Sequence, residues 1–142
     1  YINLGVIHTG QINVAAQDMT VSTNAQSGYA MTATSSGKLL NPASGYFFNS
    51  DAAGSTMTAG TEEFGIHACG TDANTSLFGS ASVLSGTGNV AWPTQTSPLT
   101  IASRNSAASS MATTVSYHAT VSGSTPTGTY YSVITYVVTP TF

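Results

Sequence analysis

Eleven residues near the C-terminus constrain the fold more than any other part of this chain. Met111, Thr113, Val115, Tyr117, Ala119 and Val121 alternate with Ala112, Thr114, Ser116, His118 and Thr120. Successive side chains of a strand point to opposite faces, so this run predicts a long β-strand with one buried and one wet face. After the turn-rich break Gly123 to Gly128, the run Tyr130 to Thr139 returns with apolar residues on both faces. The two are expected to pair in hairpin fashion, with the last strand central or covered on its second side.

Further β-type segments are Tyr1 to Ile7, Gln11 to Ala15, Met19 to Thr23, Tyr29 to Thr34, Tyr46 to Phe48, Phe64 to Cys69 and Pro98 to Ala102, separated by Gly, Asn, Pro and Ser turns. No amphipathic stretch of helical period exceeds a turn or two. Nine short strands in 142 residues predict one all-β domain, an antiparallel two-sheet sandwich of immunoglobulin-like or jelly-roll type. Residues 49–60 and 71–96 lack periodicity and are expected to be long Gly/Ser/Thr surface loops.

Composition agrees. The chain holds 20 Ser and 23 Thr, 43 residues in all, against two basic and five acidic ones. Charged residues make up 5 % of it, where soluble domains usually carry about 25 %. Such neutral hydroxylated surfaces pack on one another with little charge desolvation and are common in secreted fibres and surface domains. A net charge of −3 with Lys38 and Arg104 as the only cations excludes an ordinary nucleic-acid surface and polybasic membrane attachment. No run of 18 apolar residues and no signal-type leader occurs, so membrane insertion is not expected, and in a secreted protein the leader would already have been removed.

Ile2, Leu4, Val6 and Ile7 make an apolar first segment that must be buried from its outset. It is either an internal edge of the sandwich or a donor strand completing a neighbour's sheet. Ile2, Leu4, Val6 and Ile7, with Tyr131, Val133, Thr135 and Val137 of the last strand, are the expected assembly residues.

No catalytic constellation emerges. His8, His67 and His118 lack ligand spacing, and alternation places His118 on the polar face of its strand. Ser35-Ser36-Gly37-Lys38 matches S-x-x-K but sits in a turn, without the helix that pattern needs. The adjacent Glu62 and Glu63 point to opposite faces of a strand, and Asp18, Asp51 and Asp72 show no calcium-loop spacing. The chain is therefore expected not to be an enzyme and to carry no metal or cofactor. Cys69, being single, forms no intrachain disulfide and reads as a small buried residue. Asn74-Thr75-Ser76 is the one glycosylation sequon. Lys38 is a crosslink candidate, since some surface β-domains join a buried Lys to an Asn.

Two stretches carry a resemblance. Val21 to Ala33 includes Thr23-Asn24-Ala25-Gln26-Ser27-Gly28-Tyr29, and the ending includes Thr125-Pro126-Thr127-Gly128-Thr129-Tyr130 and Thr135-Tyr136. With Phe64-Gly65-Ile66, these resemble a β-sandwich surface-protein family of exported Patescibacteria-type proteins, with a TNA-x-x-GY strand start and a TPAGTY final hairpin. Thr127 stands where that family usually has Ala. The resemblance implies export, a structural or adhesive role, pilin-like or matrix-fibre-like, and no catalytic residues. An extra strand usually precedes the segment equivalent to Tyr1, which implies a processed start or a sandwich that accepts a strand.

The function expected from these features is that of a structural subunit of an extracellular filament or surface layer, partnered by itself or by another surface protein. The alternative is a carbohydrate-binding or adhesive module, with Trp92 and exposed Tyr residues stacking on a glycan.

Overall fold

The computed structural model describes residues 1–48, 55–80, 89–94 and 96–142. The main strands are β1 (Ile12–Thr23), β2 (Tyr29–Ser35), β6 (Glu63–Gly70), β8 (Leu99–Arg104), β9 (Ala108–Thr120) and β10 (Ile134–Pro140). Short strands β3 (Leu40–Asn41), β4 (Tyr46–Phe47), β5 (Ser55–Thr56) and β7 (Asn89–Val90), and the single-turn helix α1 (Thr75–Phe78), fill the connections. The main strands form two antiparallel sheets, ordered β1-β9-β6 and β10-β2-β8.

The sheets pack through the faces that alternation assigns to the core. Val21 of β1, Ile66 and Ala68 of β6 and Val115 of β9 meet Tyr29, Met31 and Ala33 of β2 and Ile101 and Ala102 of β8. Burying those side chains is the main favourable term of the fold. A second cluster closes one end, where Phe48, Phe64 and Ala119 are buried under Leu39, Trp92, Val121 and Tyr130. Its rings meet edge to face, Phe48 with Phe64 at 5.6 Å and with Tyr130 at 5.3 Å, in the arrangement aromatic quadrupoles favour.

Each main strand lies in the sheet opposite to the one before it. This overturns the expected terminal hairpin, because β9 pairs with β1 and β6 while β10 pairs with β2. Residues 121–133 cross the end of the sandwich between them, with Tyr130 set into the second cluster. Among the described residues the last strand is accordingly neither central nor covered on its second side. It is the edge of its sheet.

Gln11 to Ala15 and Met19 to Thr23, expected as two strands, are one continuous strand paired with β9 from Ile12 to Val21, with a register shift before Thr23. The β1–β2 turn depends on Gly28, whose φ of +80° few side chains adopt. A Cβ there would stand 2.0 Å from the Arg104 carbonyl oxygen.

The segment Tyr1 to Ile7 does not form the expected strand. Gly5, at a φ of +71°, breaks its extended run, and Leu4 and Ile7 rest against the second cluster. Asn13 Nδ2 holds the segment in place by donating to the carbonyls of Leu4 and Val6.

The expected loop region 71–96 contains structure as well. Phe78 of α1 is buried, and Ala91, next to β7, exchanges backbone hydrogen bonds with Ile66 of β6. Parts of the expected loops, residues 49–54, 81–88 and 95, with Asp51 among them, lie outside the described residues.

Candidate functional site

The described surface is most unusual along β10. Sheet pairing sends Ile134 and Tyr136 inward onto the core, while Tyr131, Val133, Thr135 and Val137 share the outward face. Tyr131 and Val133, which lead into β10, are 55 % and 59 % exposed and Val137 within it is 48 % exposed, a large apolar presentation on a run with no charged residue. The row extends sideways, because Leu40 pairs both with Tyr131 and with Phe47, itself exposed. Beyond β10 the outward face continues onto Ala30, Thr32 and Thr34 of β2, again without charge. Natural edge strands are usually blunted by Lys, Pro, bulges or a covering element, and before its closing Pro140 β10 carries no lysine and no register shift against β2. Of the expected assembly residues, the structure thus places Tyr131, Val133, Thr135 and Val137 together on one exposed face. It places Leu4 and Ile7 elsewhere, on the second cluster.

Polar groups are concentrated inside. His67 and His118 face each other with ring centroids 6.3 Å apart, and both are buried. This corrects the expected wet face of β9, since the face that His118 shares with His67 is closed where Phe78 of α1 packs on the His67 ring and the Asn89 carbonyl of β7 bonds to it. His67 Nδ1 donates to the Asn89 carbonyl at 2.9 Å, and His118 Nε2 pairs with Ser116 Oγ at 2.8 Å. His118 Nδ1 has no partner among the described residues. Burial, with the facing His67 as a second cause, pulls the His118 pKa down to about 4, so the ring is neutral at physiological pH. Ser116 and His118 resemble a nucleophile and its base in distance alone, since both are sealed from solvent.

A second polar knot ties the sheets at the other end. Asp72, nearly buried, accepts from the Tyr29 hydroxyl at 2.8 Å and from Arg104 Nη1 at 3.0 Å. Burial, reinforced by the Asp72 carboxylate, pushes the Tyr29 pKa up to about 12. Mid-sandwich, Gln17 donates to the Tyr117 hydroxyl, which meets that of Tyr136 at 2.9 Å, and burial raises both phenols. Glu62 accepts from Tyr46 and Thr125, and Glu63 from the Thr58 amide, so the adjacent carboxylates tie down different loops.

The remaining candidates fall into structural places. Lys38 is exposed on the bend after β2, which does not supply the burial a Lys–Asn crosslink requires. Asn74 Nδ2 donates to the Thr100 carbonyl at 3.0 Å, which occupies one of its two amide hydrogens. Trp92 is half-buried against Phe64, with its indole N–H on the Gly37 carbonyl, and does not form an exposed stacking platform. Cys69 is half-buried and free. His8 is exposed, apart from the other two histidines, and no group of three His, Cys, Asp or Glu side chains suited to a metal occurs among the described residues.

No family model, curated protein or solved structure matches the chain. The functional reading therefore rests on geometry. No helix among the described residues is long and apolar enough to cross a membrane.

Two features escaped sequence reasoning. The His67–His118 pair depends on register, and the openness of β10 depends on which strand becomes its neighbour. Phe64, Ile66 and Ala68 alternate along β6 and are buried, so parity puts His67 on the other face without revealing what covers it.

Proposed function

We propose that the chain is a structural subunit of an extracellular filament or surface layer, of the exported β-sandwich kind its motifs resemble, assembling through the open edge of the β10-β2-β8 sheet. The observation that carries this reading is the uncharged edge formed by β10 and the residues leading into it, which turns Val137 of the strand and Tyr131 and Val133 before it to solvent. Main-chain groups along a free edge supply affinity for another strand, and alternate side chains supply specificity. The Ser- and Thr-rich, nearly uncharged surface supports lateral packing, because little charge must be desolvated. Contact through β10 is favoured over exchange of residues 1–7, since Leu4 and Ile7 already have apolar partners in their own chain.

The test is sedimentation over a range of concentrations, with negative-stain electron microscopy of the same samples. The wild-type chain should associate as concentration rises. Val137→Lys, which places a charge on the outward face, should stay monomeric with an unchanged circular dichroism spectrum. A wild-type chain that remains a dispersed monomer at the highest attainable concentration would overturn the reading.

A further inference from the structure

We infer that the partner of β10 is β10 of a second copy, joined antiparallel about a two-fold axis through Tyr136. This rests on assembly through β10 as proposed above and specifies its occupant and register.

Backbone direction decides which residues face the free edge. Tyr131 exchanges both hydrogen bonds with Leu40, the Val133 carbonyl accepts from the Ser36 amide, and Thr141 bonds to Ser27 and Gly28. The odd-numbered residues of this run thus turn their main chain towards β2 and its flanks. In a strand the next residues turn the opposite way, so Ile134, Tyr136 and Val138 direct N–H and C=O out of the sheet. Pro140, next in that series, has no N–H to offer, and a proline with its nitrogen on the open side is typical of a strand edge.

An antiparallel pair centred on Tyr136 matches this set to itself. Ile134 would exchange both main-chain hydrogen bonds with Val138 of the second copy, Tyr136 with its own counterpart, and Val138 with Ile134. This register uses Ile134, Tyr136 and Val138 in both copies and leaves each Pro140, which closes the strand, just outside the ladder. On the core side, Val138, an inward-facing residue left 43 % exposed, gains Ile134 of the second copy as cover. On the outer side, Thr135 lies beside Val137 of the second copy and Val133 beside Thr139, with no charge to oppose either contact. The two three-stranded sheets become one continuous sheet. A two-fold contact is closed, so in an extended assembly this pair is the repeating unit, propagated by a different surface.

Cysteine cross-linking reads the register directly. In a Cys69→Ser background, Thr135→Cys and Val137→Cys chains are prepared separately. Thr135 opposes Val137 of the second copy at a site without hydrogen bonds, where Cα atoms lie about 4.5 Å apart, within disulfide reach. Like positions in the two copies are too distant. Mild oxidation should therefore shift the mixed sample from monomer to dimer on a non-reducing gel, and mass spectrometry should place the bond between residues 135 and 137. Either variant alone should stay monomeric on the gel. Cross-linking of one variant with itself, or no cross-link in chains that sediment above monomer mass, overturns this pairing and leaves assembly standing. Chains that neither cross-link nor sediment above monomer mass overturn both.

Discussion

Acid should destabilise this fold through His118, and by a predictable amount. The ring is 2 % exposed, faces His67 from β6, bonds Ser116 on its own strand and lies opposite Val14 of β1, so no carboxylate among these neighbours compensates a positive charge. Its pKa is about 4 in the folded chain against 6.5 when solvated. The unfolded chain therefore binds a proton at pH 6.5 that the folded chain takes up only near pH 4. The stabilising preference for neutral His118 is fully present above pH 6.5 and lost as pH falls through the folded value. At about 1.4 kcal/mol per pH unit, the loss between pH 7 and pH 5 is about 2 kcal/mol, approaching about 3 kcal/mol at pH 4. Urea unfolding at a series of pH values measures it, with His118→Gln separating it from the carboxylates. The variant will be less stable at neutral pH, yet its decline between pH 7 and pH 5 should be shallower by about the same 2 kcal/mol. An equal decline in both proteins, or an NMR titration of the His118 ring with a midpoint near 6.5, refutes the argument.

Two further perturbations test the fold around the assembly sheet. Gly28→Ala forces a Cβ against the Arg104 carbonyl at a positive φ, and the resulting strain should lower stability by more than about 2 kcal/mol in denaturant unfolding. Asp72→Asn removes the carboxylate shared by Tyr29 and Arg104. Because Arg104 is partly exposed, the expected loss is about 1–3 kcal/mol, below that of a fully buried pair. In alkaline spectrophotometric titration, Tyr29 should then ionise below its value of about 12 yet above 10, since burial remains the larger cause.

How much of this was legible in the sequence varied with how local the signal is. β2, β4, β6 and β8 lie within a residue or two of their expected bounds, because period-two alternation and flanking turn residues are properties of the segment itself. The run Tyr1 to Ile7 satisfied the same pattern and failed, because a glycine at its centre enters the left-handed region and only Leu4 and Ile7 dock on the core, with Val6 left exposed. Of the candidate site, Tyr131, Val133, Thr135 and Val137 could be placed on one face by parity. Whether that face was buried could not, because Val133, Ile134, Val137 and Val138 read equally well as a strand covered on both sides.

The amino-acid sequence alone determined that this chain is all-β, uncharged over most of its surface, and that the alternating run of β9 is a long strand, since these follow from side-chain period and composition. The tertiary structure decided which strands became neighbours. Each connection between main strands passes to the opposite sheet, so long-range pairing, and not proximity along the chain, set the sheet order. That order buried His118 and left β10 open, because burial of a strand face depends on what the rest of the chain lays against it.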